Sequence, residues 1–416
     1  MTAPRIQVIN REDFRDQKLI ELSDDDGLRK DLPPNSIKIR TTLFTINLNS
    51  FTYARLGSLP GFTWWDFHLI PSTAPEPYND TKTWGRIPVW GIGVVTESNT
   101  DVAPVGTKFY GYIPFGTVEE VKQIAPPEEG VKTQFIETTE YRRELMGGFY
   151  NRYQIVPEDA SEHDLAWDAI MKVLFETSYL IHRYAFTWDP STHTPIFPTG
   201  KGVALWTAQD ASLKDAIVLI FAASSKTGAS FAQQVATNRP ADQRPRKSLA
   251  VGSEKSKAAT ERFGWLDGVL LYSDDPVSTL KREAGLDKDT KVVIFDFGGR
   301  DAAALKWAKA LKEESGDLTV ITVGSSPDAD GLVDYSEIGV KAFVGNALGL
   351  RVGAMENMGA GRYWDEFEAE WASFKRKGGL PGIEMDISDG LDMAMKGWDG
   401  LAKGTIPGTK ALLYRL

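Results

Sequence analysis

The sequence predicts an α/β protein of two domains, a barrel-like β-rich domain followed by a doubly wound parallel sheet. Three observations carry this expectation. Between residues 200 and 345 apolar strand-like runs alternate with helical stretches, the rhythm of repeated βα units. The first 120 residues instead read as short strands separated by Pro and Gly clusters. A chain of 416 residues is also long enough to bury two cores.

In chain order, residues 36–47, 90–95 and 107–113 read as strands of the first domain, with surface loops at 71–77 and 126–130. Over 162–186 Leu165, Ile170, Val173, Leu174 and Leu180 fall at helical spacing, a stripe that core packing explains. The second domain is expected from strands at 217–221, 248–251, 268–272, 292–295 and 318–323, with helices at 255–263, 277–284 and 301–312 between the later ones. The last 70 residues lose this rhythm. A short aromatic helix at 367–374, a second helix at 389–403 and a closing strand at 410–414 would return the chain to the first domain. The expected domains are therefore 1–190, 191–345 and the returning segment 346–416.

The most informative segment is Val218-Leu-Ile-Phe-Ala-Ala-Ser-Ser-Lys-Thr-Gly-Ala-Ser-Phe-Ala232. A continuous apolar run suits a parallel strand covered on both faces, and small residues then lead into a helix from about Thr227. Backbone N–H groups at such a helix start are unpaired and partly positive, so a pyrophosphate binds there readily. The glycines of a dinucleotide fingerprint are mostly absent. Gly228 is in place, while Ala222 and Ser225 replace others, so the segment alone also fits an ordinary α/β turn. Small residues recur at the other strand ends, at 252–253, 298–299 and 324–326. Four such ends in order describe a groove for an extended ligand beyond the carboxyl edge of the sheet.

Composition excludes several classes. A net charge of −10 and the lack of an aromatic-interleaved basic patch argue against nucleic acid. No apolar run reaches the roughly 18 residues of a membrane span, and residues 1–31 are charged throughout, so a cytosolic protein is expected. Cysteine is absent, which removes disulfides, thiol nucleophiles and thiolate metal ligands. His68, His163, His182 and His193 show no metal-ligand spacing.

The order of parts, with the tail from Asp389 to Leu413, resembles the medium-chain dehydrogenase/reductase superfamily in its zinc-free, quinone-oxidoreductase-like half. More closely, it is similar to a branch of that superfamily known only as a domain of unknown function. The segments that carry this are Asn49-Ser-Phe-Thr-Tyr-Ala54, Trp84-Gly-Arg-Ile-Pro-Val-Trp-Gly91, Gly111-Tyr-Ile-Pro114, Phe149-Tyr-Asn-Arg-Tyr153, Leu174-Phe-Glu-Thr-Ser-Tyr-Leu180 and Ala222-Ala-Ser-Ser-Lys-Thr227. The resemblance implies a GroES-like β-rich catalytic domain joined to a Rossmann-type sheet. Zinc members carry a cysteine and a Gly-His-Glu turn. The matching turn here is Trp90-Gly91-Ile92, and no zinc site is expected. Relatives commonly pair through the edge of the nucleotide-binding sheet, which implies a homodimer.

For the cofactor, Val251-Gly-Ser-Glu-Lys-Ser-Lys257 is similar to the Gly-Ser-x-x-Lys pattern of NADPH-using relatives, with Ser253 and Lys257 as donors to a 2′-phosphate. Glu254 argues the other way, and a solvated helix start that binds nothing is a further alternative. Ser224, Ser225, Lys226, Thr227 and Gly228, with Gly298, Gly324 and Ser325 at the other strand ends, complete the expected cofactor residues. Lys226 either compensates for missing glycines by contacting phosphate or obstructs the groove.

The resemblance places Asn49, Thr52 and Tyr53 where active-site polar residues belong, with Tyr53 or water as proton donor. A buried structural tyrosine is the competing reading. Tyr150, Asn151 and Tyr153 form a second polar-aromatic cluster, and Thr177 with Ser178 a third. Trp64, Trp65, Trp84 and Trp90 describe either an aromatic-walled pocket or core packing. The expected activity is zinc-independent, NADPH-dependent reduction of an apolar enone, quinone or carbonyl compound. A non-redox isomerase, cyclase or lyase using the same interdomain cleft is the alternative, and a non-catalytic nucleotide-binding protein the third.

Overall fold

The computed structural model describes residues 3–23, 32–57, 64–139, 149–324 and 333–416. The chain divides into two units, Met1–Lys172 with Ile383–Leu416, and Val173–Gly382. In chain order the first unit opens with β1 (Arg5–Asn10), β2 (Gln17–Glu21), β3 (Ser36–Ile46) and helix α1 (Leu48–Leu56). Asn47 caps α1, its side chain accepting from the Asn49 amide. The unit continues through β4 (Trp84–Gly85), β5 (Val89–Ser98), β6 (Lys108–Ile113), β7 (Glu120–Ala125), β8 (Gln134–Glu137) and β9 (Arg152–Ile155). Helix α2 (Glu162–Leu180) crosses into the second unit and ends in a π-helical turn, Ile181–Ala185.

The second unit is built on β10 (Ile217–Phe221), whose five residues are wholly buried, as a strand covered on both faces requires. Then follow α3 (Lys226–Thr237), β11 (Lys247–Gly252), α4 (Glu254–Glu261), β12 (Gly268–Leu271) and α5 (Pro276–Ala284). The unit ends with β13 (Lys291–Phe297), α6 (Ala303–Leu311), β14 (Asp317–Gly324), β15 (Lys341–Val344), α7 (Ala347–Met358) and α8 (Ala360–Arg376). All strand pairs in this sheet are parallel, in the order β12-β11-β10-β13-β14-β15. The winding reverses between β10 and β13, and the carboxyl ends there form the crevice in which open α/β sheets bind ligands. Leu219, Ile294, Val320 and Trp307 pack the core on one face.

The chain then returns to the first unit as β16 (Glu384–Asp389), α9 (Leu391–Ala402) and β17 (Lys410–Arg415). These strands extend an eight-stranded sheet of order β16-β17-β3-β5-β6-β9-β8-β7, which β3–β7 pairing closes into a barrel.

Several expected boundaries shift. Asp389 ends a strand instead of starting a helix, because Gly390 at φ 83° turns the chain before α9. The short aromatic helix at 367–374 is part of the longer α8, whose buried face already begins at Tyr363 and Trp364. The divisions expected at 190/191 and 345/346 fall inside the second unit. Phe175 of α2 packs against Phe374 and Trp371 of α8 at 4.9 and 5.3 Å. Glu176 accepts from Arg351 and from the Tyr363 hydroxyl, the latter at 2.7 Å, within a fully buried ion pair. These contacts join residues 173–190 to 346–382, and Phe186, packed on Phe295 of β13 at 4.9 Å, joins the former to the parallel sheet.

Candidate functional site

In the first unit α1 sets Asn49 and Tyr53 one turn apart on the same face. The Tyr53 hydroxyl oxygen accepts from Asn49 Nδ2 at 2.6 Å and from Trp90 Nε1 at 3.0 Å. It also hydrogen-bonds Tyr150, and these three bonds oppose the burial that pushes its pKa up. With two N–H donors on the lone pairs of its oxygen, the third bond, to Tyr150, takes the Tyr53 proton, which a substrate oxygen or carbon in Tyr150's place would receive. Trp90 and Tyr112 face one another across the β5–β6 ladder. Tyr112 lies 5.4 Å from Tyr53 and 4.9 Å from Tyr150 between ring centroids, and Trp64 lies 4.8 Å from Tyr53. Tyr112 is fully buried, its hydroxyl has no hydrogen-bond partner among the described residues, and burial with the neighbouring phenols holds its pKa well above 10.

The structure brings Asn49, Tyr53, Tyr150 and Trp90 together and leaves other expected residues apart. Thr52 is half-exposed and its hydroxyl faces the Leu48 carbonyl at 3.4 Å, about 100° around the helix from Tyr53. Tyr153 was expected to touch substrate; it is instead fully buried, and its hydroxyl donates to Glu137 at 2.9 Å beside the buried Lys122–Glu137 ion pair. Asn151 donates to the Glu137 carbonyl at 3.2 Å.

In the second unit the turn after β10 runs from Ala222, at φ 53°, to the start of α3. Ser225 caps the helix, accepting from the Gly228 amide at 3.1 Å. A Cβ on Gly228 would lie 2.8 Å from the Ala222 carbonyl oxygen, so glycine is required for the close strand-to-helix approach. The amides of Lys226 and Thr227, in the first turn, have no intrahelical acceptor. Lys226 is half-buried, and burial alone pushes its pKa down to about 8. Its ammonium has no ion-pair or hydrogen-bond partner among the described residues. An unpaired cation at a helix start is an arrangement that an anion completes.

The flanking strand ends differ. Ser253 caps α4 and its hydroxyl is engaged with Ser256 at 3.1 Å, while Lys257, half-exposed, has no partner among the described residues. Gly298 donates its amide to the Asp296 carboxylate at 3.0 Å, and Gly299 does so at 2.7 Å. The Gly298 amide is thus taken by the chain itself. Gly324 lies close to the Phe297 carbonyl, which a Cβ would meet at 2.9 Å. Ser325 falls outside the described residues. Ser178 and Thr177, expected at substrate, are helix residues: Ser178 is fully buried with its hydroxyl 2.8 Å from the Thr227 carbonyl, and Thr177 donates to Val173 at 3.0 Å. Ser178 thereby ties α2 to the first turn of α3. Among the described residues no group of three or more His, Cys, Asp or Glu side chains is placed to hold a metal ion.

A family model described as a protein of unknown function, DUF2855, matches residues 44–407. The chain belongs to that family. No curated protein sequence matches it. Among solved structures, a putative NADPH:quinone reductase from Bacillus thuringiensis is similar over 100% of both chains, at 14% identity and a TM-score of 0.58. The Escherichia coli quinone oxidoreductase complexed with NADPH covers 100% of both chains at 14% identity and a TM-score of 0.56. The CurF ER cyclopropanase from the curacin A biosynthetic pathway covers 100% of this chain and 99% of its own, at 13% identity and a TM-score of 0.56. At such identities the likeness establishes the fold, that of the quinone-oxidoreductase-like medium-chain dehydrogenases/reductases.

Two residues of this DUF2855 chain escaped sequence reasoning. Tyr112 was legible only through β5–β6 register, which sets it opposite Trp90. Asp296 lies one residue beyond the strand expected at 292–295, and only the fold turns its carboxylate onto the Gly298 and Gly299 amides.

Proposed function

We propose that this chain is an NADPH-dependent, zinc-independent reductase that transfers a hydride to an apolar enone, quinone or carbonyl compound. The observation that carries the reading is the unpaired Lys226 at the start of α3, above a Gly228 position that admits no side chain. Lys226, the Ser224 hydroxyl and the first amides of α3 would hold cofactor phosphate, and Ser253 with Lys257 would meet the 2′-phosphate. Fold neighbours described as an NADPH:quinone reductase and as a complex with NADPH support this choice. The absence of cysteine supports a zinc-independent reaction.

When bound, the cofactor supplies the hydride. The chain supplies the rest: Tyr53 donates the proton to the substrate atom that becomes basic, and the Asn49 and Trp90 N–H groups stabilise the phenolate oxygen left behind. Trp64, Tyr112 and Tyr150 exclude water from that oxygen. The test is saturable NADPH binding followed by substrate-dependent loss of the reduced cofactor. No affinity for NADPH or NADH at millimolar concentration ends the proposal.

A second reading, a non-redox isomerase, cyclase or lyase, is favoured by one observation, the shared fold with an ER cyclopropanase. Product mass separates the two, since only reduction adds two hydrogens. Among the described residues no helix is long and apolar enough to cross a membrane. The reductase reading carries with it a cytosolic location and a homodimer, the latter measured by light scattering.

A further inference from the structure

A second uncompensated cationic cluster lies in the second unit, around Trp188. The Arg183 guanidinium sits 4.5 Å from the Trp188 ring centroid and that of Arg239 5.2 Å from it. The His182 ring packs on the same indole at 4.9 Å. Arg183 and His182 belong to the π-helical turn that ends α2, a distortion frequent at functional sites. Arg239 is only 2% exposed and is tethered by donation to the Phe186 carbonyl, while its Nε has no partner. His182 is likewise buried, with Nε2 unpartnered.

No carboxylate pairs with Arg183 or Arg239 among the described residues. Nearby acids are already engaged: Glu366 holds His193 and Arg362, each at 2.9 Å, and Asp189 accepts from the Ser191 and Thr192 hydroxyls. In a chain whose acidic residues outnumber its basic ones, 57 to 47, two neighbouring arginines without a carboxylate form an exception. A buried charge left unmatched is costly, and an external anion is the remaining means of matching it. The positive field is evident in the cluster itself. Burial and the Arg183 charge push Arg239 down to about 9, and burial with both arginines keeps His182 neutral.

We propose that Arg183, Arg239 and Trp188 form a binding site for a phosphate group, free or carried by a small phosphate monoester. Arg183, half-exposed, offers its N–H fork directly to the oxygens. Arg239 supplies a fixed charge behind it. The site is separate from the turn at Lys226. Arg239 follows the C-terminal end of the 12-residue helix that Lys226 begins, roughly 18 Å away along its axis.

The test is calorimetric titration of the full chain with inorganic phosphate and, separately, with glycerol 3-phosphate, at constant ionic strength. Saturable binding of either is expected, and the tighter of the two identifies the source. Arg183→Gln should weaken it about tenfold or more, the loss of a charge-assisted pair, and Arg183→Lys should fall between. Lys226→Met, which removes the separate phosphate site proposed at α3, should leave the Arg183-dependent binding in place. No saturable binding, wild-type affinity in Arg183→Gln, or loss of binding in Lys226→Met would overturn the proposal. If Arg183→Gln fails to fold, Arg183→Lys carries the comparison, and unchanged affinity there counts against the site.

Discussion

The barrel unit and the sheet unit treat their key polar groups in opposite ways. Around Tyr53 the hydroxyl is saturated, with Asn49, Trp90 and Tyr150 all bonded to one oxygen inside an aromatic shell. Around Lys226 the ammonium has no partner, although burial opposes its charge. A saturated group is prepared to change its own protonation, because the bonds that stabilise its conjugate base already exist. An unsatisfied group is prepared to receive something from outside. The first pattern belongs to chemistry and the second to binding.

The largest expected effect breaks the first side of this comparison. Tyr53→Phe removes the proton donor and should lower turnover by roughly 10²–10⁴-fold with little change in cofactor affinity, as steady-state kinetics and a separate NADPH titration would measure. Equal loss of both would show Tyr53 to be structural. On the second side, Lys226→Met should weaken NADPH by about tenfold or more, the value of a hydrogen bond to a charged group. It should not lower thermal stability, because an unmatched half-buried charge is removed.

Acidity sharpens the same contrast. The Lys226 pKa is about 8 in the folded chain, below the ordinary 10.5. Between these values the unfolded chain holds a proton that the folded chain lacks, so this lysine's contribution to stability improves as pH rises from about 8 towards 10.5. NADPH affinity should do the reverse and fall as pH passes about 8, where the free ammonium is lost. Titration at pH 7 and 9 tests this, and Lys226→Met should flatten the difference.

Smaller effects probe the turn. Gly228→Ala drives a Cβ to 2.8 Å from the Ala222 carbonyl oxygen and should cost about 1–3 kcal/mol in denaturant unfolding. Ala222→Gly relieves a left-handed alanine at φ 53°, a cost of about 1–2 kcal/mol, against glycine's entropic penalty of about 0.5–1 kcal/mol. A net gain of about 0–1.5 kcal/mol is expected.

The parallel sheet was legible because its strands are apolar runs bounded by small residues, and Ile217–Phe221 matches its expected limits. The edge strand β16 was not. Glu-Met-Asp-Ile-Ser-Asp lies at the edge of its sheet, is only partly buried, and shows no apolar run. In the site, Asn49 and Tyr53 were singled out from a family-like segment alone, and the structure bonds them to one another. Tyr153 and Ser178 misled because a hydroxyl carries no mark of whether it faces a ligand or a buried Glu137 or Thr227 carbonyl.

The sequence by itself determined what depends on neighbours along the chain: two fold types, a strand-turn-helix with Lys226 in its turn, and a chemistry without thiols. Only the tertiary structure decided which polar atoms are already spent. Hydrogen-bond satisfaction joins residues distant in sequence, as it joins Trp90 to Tyr53. That matching leaves Lys226 without a partner and Tyr53 with three.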